Sequence, residues 1–249
     1  GTVINAPAAG VLAALGCSRV KVHRKPRVAV FTTGDELQPL GQPLENGKIY
    51  NSNLYTMAAM VSEAGGEAVL LESVPDEEDL ICRQYNYGLS VADLVLSTGG
   101  AAAGERDLAS AAMQRCGARL LFRHMEVTPG KYTVCGVKNG RLLLGLSGKP
   151  ASAVAAFFLL VRPVLRCMGG YRELFLPRCE ATLVEEIQGG LAFRSLVRAE
   201  VQWQDGCLVR PAPKGPGSLL TLMTGNAFID LPAGCGPLTP GDKVQVILL

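Results

Sequence analysis

No two cysteines stand at CxxC spacing, although the chain has 8 of them, so a zinc ribbon or dithiol redox motif is excluded. They lie at positions 17, 82, 116, 135, 167, 179, 207 and 235, mostly inside apolar runs, and read as small buried hydrophobes of a reducing compartment. Histidine is scarcer still. His23 and His124 lie far apart with no Ser or Cys partner signature, so both read as structural. No basic block occurs. Lys and Arg number 24 against 22 Asp and Glu, and a net charge of +2 argues against nucleic acid as a partner. A long hydrophobic run is also missing. The longest, Ala151 to Val161, stops at Arg162, about half of the ~20 residues a membrane helix needs. The opening GTVINAPAAG lacks the basic start and apolar stretch of a secretory signal. Neither a membrane partner nor export is expected, which leaves the cytoplasm.

What is present is a globular composition. Of 249 residues, 48% are hydrophobic and 18% charged, enough for a packed core and incompatible with wholesale disorder. The 29 Gly and 15 Pro imply many tight turns rather than long helices.

Three segments follow from the pattern. Residues 1–26 form an opening segment with a small-residue helix from Ala8 to Leu15, too short to bury its own apolar face. Residues 27–175 alternate strand and helix signals. RVAVF at Arg27 to Phe31 is a β-branched strand. Asn51-Ser52 offers a helix cap before Leu54, Met57, Ala58 and Val61 at helical spacing. Glu67 to Val74 is strand-like, Pro75-Asp76 starts a helix reaching about Ala92, and Leu94 to Leu96 is a short buried strand. Asn139-Gly140 joins two strands as a hairpin. An apolar helix runs from Ala153 to Met168. This alternation predicts an α/β domain, an open and mostly parallel sheet flanked by helices. Residues 176–249 carry short strands separated by Gly and Pro turns, which predicts a small all-β, barrel-like domain.

Ligands of open α/β sheets bind beyond the carboxyl ends of the strands, and four polar, Gly-containing loops fall there. Thr32 to Leu37 offers hydroxyls and two carboxylates, though composition alone favours a solvated turn. Ser97 to Asp107, STGGAAAGERD, lets backbone N–H groups approach a phosphate, or simply makes a close strand-to-helix turn. In it Ser97, Thr98, Gly99, Gly100 and Gly104 are cofactor-binding candidates, and Asp107 is a metal ligand or an N-cap. In Thr128 to Lys131, the Pro-Gly turn at Gly130 presents Lys131; an isolated Lys reads first as solvated. In Ser147 to Ser152, Gly148 and Lys149 precede a helix whose first N–H groups are unpaired. The GxxxxGK[ST] spacing is absent, which excludes an ordinary P-loop.

TTGDEL, KIYNSN at 48–53, STGGAAAGERD, TPGK and GLSGKPAS occur in the order and spacing of the molybdopterin molybdenumtransferases, the MoeA type related to the gephyrin E domain. FRSLVRAEVQWQDGCLVRPAP, GSLLTLMTGNAFIDLPAG and GDKVQVILL resemble that family's last β domain. The resemblance covers essentially the whole chain but not the family's upstream region.

The resemblance implies a reaction in which molybdate joins the dithiolene of adenylylated molybdopterin, AMP is released, and Mg2+ is required. It implies that Glu36 and Asp107 hold the magnesium and, with Lys131 near the molybdate or terminal phosphate, act in catalysis. Thr33, Gly34 and Asp35 would line the same pocket, Gly99, Gly100 and Gly104 would meet phosphate or pterin, and Ser152 would lie after the last turn. A homodimer is implied as well. The family commonly has Ser at Ala102, Lys and Pro at Thr128 and Tyr132, and Pro and Asn at Ser147 and Lys149. Losing Lys at 128 and gaining it at 149 moves positive charge within one pocket, or marks an altered paralogue. Two other readings stay open: a molybdopterin adenylyltransferase-like enzyme, and a non-catalytic binding scaffold. Residues 1–249 alone are expected to fold without completing the reaction.

Overall fold

A computed structural model describes residues 1–101, 107–189, 192–204, 206–213 and 223–249. After helix α1 (Ala6–Ala14), strand β1 (Arg27–Thr32) opens the first sheet. Val28, Ala29, Val30 and Phe31 are fully buried, so this strand is covered on both faces, and an unbroken apolar run suits that position better than an alternating one. Four parallel strands follow from the pairing: β4 (Glu67–Leu70), β1, β5 (Leu94–Thr98) and β9 (Arg141–Leu146). Two antiparallel strands, β8 (Thr133–Lys138) and β6 (Arg119–Phe122), complete the order β4-β1-β5-β9-β8-β6. The β8–β9 turn has Asn139 at φ 50° and Gly140 at φ 74°, the left-handed pair that an Asn-Gly hairpin requires.

Alternation along β1 sends its side chains to two cores. Val28 and Val30 meet α2 (Ser52–Glu63) through Leu54, Met57 and Val61, and meet the long helix beginning at Pro150 through Ala153, Phe157, Val161 and Leu165. Ala29 and Phe31 face the other side, against Ile81 and Tyr85 of α3 (Glu78–Val91) and Ala109, Ala112 and Met113 of α4 (Leu108–Arg115).

The long helix comprises α5 (Pro150–Ala156), a π-helical segment (Phe157–Val161) and α6 (Arg162–Met168). Pro163 explains the widened stretch: it has no N–H for the carbonyl one turn back, and its ring would crowd that carbonyl. The helix read from Ala153 to Met168 is present and begins at Pro150. The expectation that no apolar element has membrane-spanning length is corrected: although the unbroken apolar run stops at Arg162, Pro150–Met168, at 19 residues, is long and apolar enough to cross a membrane by length and composition. Its inward residues belong to the α/β core instead.

The second sheet closes on itself as a five-stranded barrel. Its strands are β10 (Arg178–Leu183), β14 (Lys243–Leu248), β13 (Ala227–Leu231), β11 (Arg194–Trp203) and β12 (Cys207–Pro211), and β12 returns to β10. Ala181, Leu183, Ala199, Val201, Val209, Ile229 and Val246 fill it. A short strand not expected from sequence, β7 (Val127–Thr128), leaves the first unit and pairs with Arg194 and Ser195 of β11. Val127, Ala155, Leu196, Phe228 and Ile247 form a small core between the two units. The cysteines also depart from expectation: Cys116 and Cys135 are buried, whereas Cys17 and Cys167 are exposed.

Candidate functional site

The parallel strands deliver their ends to one place. Thr33 N–H donates to Thr98 O at 2.8 Å, and Gly99 N–H donates to Leu146 O at 3.1 Å, so the loops after β1, β5 and β9 are stitched side by side. Gly99 is needed there. Its φ is 94°, and a Cβ would stand 2.1 Å from the Thr33 carbonyl oxygen. A pocket of about 60 Å3 opens beside these loops, lined by Thr33, Glu36, Thr98, Gly148, Asn51 and Asn53 among others. Four residues singled out in the sequence thus meet at one pocket.

The rest of the lining was not assigned from sequence. A two-stranded ribbon of β2 (Leu37–Gln38) and β3 (Ile49–Tyr50) leads into α2, whose N-terminus faces the pocket. Asn51 caps that helix, accepting from Leu54 N–H at 3.2 Å. Its Nδ2 donates to Thr32 Oγ1 at 2.7 Å and to Ser73 Oγ at 2.8 Å, anchoring α2 to β1. Asn53 Nδ2 donates to Gly148 O at 2.8 Å, which leaves Oδ1 buried without a partner among the described residues. KIYNSN carried the signal for this part of the lining, because a cap residue beside a polar strand end places its own helix terminus there.

The remaining candidates occupy distinct positions. Glu36 folds over Gly34: a Cβ on Gly34 would lie 2.7 Å from its Oε2. Its carboxylate has no hydrogen-bond or ion-pair partner among the described residues. Thr33 Oγ1 donates to Asp76 Oδ1 at 2.8 Å, and Asp76 N–H donates to Asp35 Oδ1 at 3.1 Å. Asp35 O accepts from Lys48 Nζ at 2.6 Å, so Asp35 braces the loop. Asp76 therefore ties the loop after β1 and precedes α3, which begins at Glu78. Ser97 turns beneath the pocket and shares a 2.7 Å hydrogen bond with Tyr85 OH. Burial pushes that phenol well above its ordinary range, so Tyr85 stays protonated.

Asp107 caps α4, accepting from Ser110 N–H at 3.1 Å and from Ser110 Oγ. Gly100 sits between this terminus and Thr33, with Gly100 O accepting from Ala109 N–H at 3.2 Å. Gly104 and Ala102 lie outside the described residues. Gly130 rests against Ser152 and Ala156 near the start of α5. The ammonium of Lys131 lies 4.3 Å from the centre of the Phe193 ring and 6.0 Å from that of Tyr132, so it reaches toward the barrel rather than lining the pocket. Lys149 is exposed at the N-cap of α5, its N–H donating to Ser147 Oγ at 3.3 Å.

The residues fit a magnesium ion in part. Glu36 offers a free carboxylate in the pocket wall, while both Asp107 oxygens are already held at the α4 cap. Among the described residues no group of three or more His, Cys, Asp or Glu is gathered. Magnesium typically takes one or two protein carboxylates with substrate phosphates and water, which this set can supply.

Fold and site together define an open α/β ligand-binding unit carrying a C-terminal β-barrel. Residues 29–167 match the family described as "Probable molybdopterin binding domain", and residues 180–249 match "MoeA C-terminal region (domain IV)". The chain is 33% identical to a molybdopterin molybdenumtransferase of Nostoc sp. and 34% identical to that of Bacillus subtilis; each alignment covers 100% of this chain and 58% of the relative. A crystal structure of a molybdopterin biosynthesis MoeA protein from Pyrococcus horikoshii superposes with a TM-score of 0.86 at 29% identity, covering 97% of this chain and 59% of that one. The chain belongs to the MoeA-type molybdopterin molybdenumtransferase family and spans less than two thirds of these relatives' length.

Proposed function

We propose that this chain carries the cofactor-binding half of a molybdenum insertion site. Molybdate joins the dithiolene of adenylylated molybdopterin, and AMP leaves. The observation that supports this best is the convergence of Thr33, Glu36, Thr98 and Gly148 on one pocket with the α2 N-terminus. Unpaired N–H groups and the positive end of a helix dipole suit an anionic substrate.

The roles divide by chemistry. Thr98 and the backbone around Gly99 and Gly148 bind and orient phosphate or pterin. Lys149, exposed at the N-cap of α5 between the pocket-lining Gly148 and Pro150, attracts oxyanions, and Lys131 supplies charge when it leaves the Phe193 ring. Magnesium, when bound, neutralises phosphate charge; Glu36, with Asp107 in support, would hold it. Asp35 and Asp76 keep Thr33 in place. A homodimer would complete the site with groups that relatives carry in the region this chain does not span. A cytoplasmic location fits such biosynthesis.

The test is to supply adenylylated molybdopterin, Mg2+ and molybdate, and to follow binding, AMP release and cofactor formation. We expect binding with turnover far below that of an intact family member, because a half-built site binds ligand without stabilising the transition state. No binding would overturn the reading. Turnover at the intact rate would overturn the need for a complementary region.

A further inference from the structure

The barrel closes through its shortest pairing. β10 and β12 run parallel with only Thr182↔Leu208 and Leu183↔Val209 in register. By contrast, β10 pairs with β14 from Arg178 to Thr182, and β11 pairs with β12 from Ala199 to Trp203. Parallel pairing is also slightly weaker per residue. Just beyond this seam, the Sγ atoms of Cys179 and Cys207 stand 3.8 Å apart. Strand alternation puts Cys179 on the face of Ala181 and Leu183, and Cys207 on the face of Val209. Those three are buried in the barrel, so both thiols point inward at its mouth, against the same cluster. Neither is fully buried.

We propose that Cys179 and Cys207 are a redox-modifiable pair that forms a reversible disulfide across the β10–β12 seam. The oxidant is a low-molecular-weight disulfide such as oxidised glutathione. One seam thiolate attacks a glutathione sulfur and expels one glutathione thiolate. The second seam thiolate then attacks the protein sulfur of the mixed disulfide and expels the other. Two protein thiols lose two protons and two electrons, and one glutathione disulfide becomes two glutathione thiols. Desolvation pushes the Cys207 thiol above its ordinary pKa, so exchange accelerates as pH rises.

The sulfurs must close from 3.8 Å to about 2.05 Å. Both residues lie outside the two seam pairs and near strand ends, Cys207 first in β12 and Cys179 second in β10. Each is held by one flanking ladder, Cys179 opposite Val246 and Cys207 opposite Trp203, so closure shifts strand ends and leaves the seam pairs in place. The bond would convert a two-pair closure into a covalent one and restrict the unfolded chain. It requires nothing of the molybdenum reading.

The experiment equilibrates the reduced protein with oxidised glutathione, alkylates the remaining thiols and maps non-reduced peptides by mass spectrometry. The expected result is a linked pair of peptides containing Cys179 and Cys207, two hydrogens lighter than the free pair. The melting midpoint should rise by about 5 °C, and dithiothreitol should reverse both changes. Cys179→Ser and Cys207→Ser, each near-isosteric, should lose the link and the shift. Glutathione adducts at exposed Cys17 or Cys167 with both seam thiols still alkylated would overturn the proposal. So would Cys207 joined to Cys235.

Discussion

The amide of Asn53 spans 95 positions of sequence to donate to the carbonyl of Gly148 at 2.8 Å. That bond joins the first turn of α2 to the loop before α5, and it fixes which end of the amide is the nitrogen. The oxygen end is then buried with no donor among the described residues.

This arrangement predicts an unusual separation of stability from binding. Asn53→Ala removes one hydrogen bond but also an unpaired buried oxygen, so unfolding by urea should show a loss under about 1 kcal/mol. With the Gly148 loop released, affinity for adenylylated molybdopterin should fall at least about tenfold by titration calorimetry. A large stability loss with unchanged affinity would show that Asn53 serves only the fold.

The two glycines of neighbouring loops should respond differently to alanine. At Gly99 a Cβ would stand 2.1 Å from a carbonyl oxygen at φ 94°, whereas at Gly148 it would lie 3.5 Å from the nearest atom, an ordinary contact. Gly99→Ala should cost at least ~2 kcal/mol and Gly148→Ala little, read from chemical denaturation. Equal effects would contradict the stitched loops described above.

Glu36 and Asp107 can be separated by choice of substitution. Asn caps a helix as well as Asp does, so Asp107→Asn should leave stability within about 0.5 kcal/mol. Any loss of Mg2+-dependent adenine-nucleotide binding in that variant then reports the charge and not the cap. Glu36→Ala should weaken the same binding more than tenfold. Unchanged affinity in both would remove the proposed magnesium ligands.

The lysines are expected to differ in rank. Lys131 is engaged with Phe193, while Lys149 is exposed at the α5 N-cap, between the pocket-lining Gly148 and Pro150. Lys149→Ala should therefore weaken molybdate or sulfate binding more than Lys131→Ala. The reverse order would mean that Lys131 leaves the ring when an anion arrives.

Acid should loosen the opening segment before it unfolds the domain. Hydrogen bonds from the Arg24 guanidinium, supported by Arg27 N–H, hold the Asp93 carboxyl at about 2 rather than 3.8. A depressed carboxylate stabilises the folded state above its unfolded pKa, and that contribution is lost as pH falls from 3.8 toward 2. Carboxyl-carbon NMR should place the Asp93 midpoint near 2 in the protein and higher in Arg24→Ala. An unmoved midpoint in the variant would detach Asp93 from Arg24.

The sequence by itself determined the elements whose causes are local. RVAVF read as a β-branched strand, Asn139-Gly140 set the hairpin, and Asn51 capped α2, because β-branching, left-handed turns and side-chain caps act within a few residues. The glycine-rich loops at strand ends marked the candidate site for the same reason. Tertiary structure decided the rest. Pairing of Val127 and Thr128 with the barrel depends on a partner strand that begins at Arg194, and two residues carry too little pattern to announce it. The choice among polar side chains was likewise three-dimensional. Ser97 turned to Tyr85, Thr33 to Asp76 and Lys131 to Phe193, while Asn51 and Asn53 took the pocket wall. Each buried polar group takes the partner that folding brings within hydrogen-bond reach, and sequence spacing does not contain that distance.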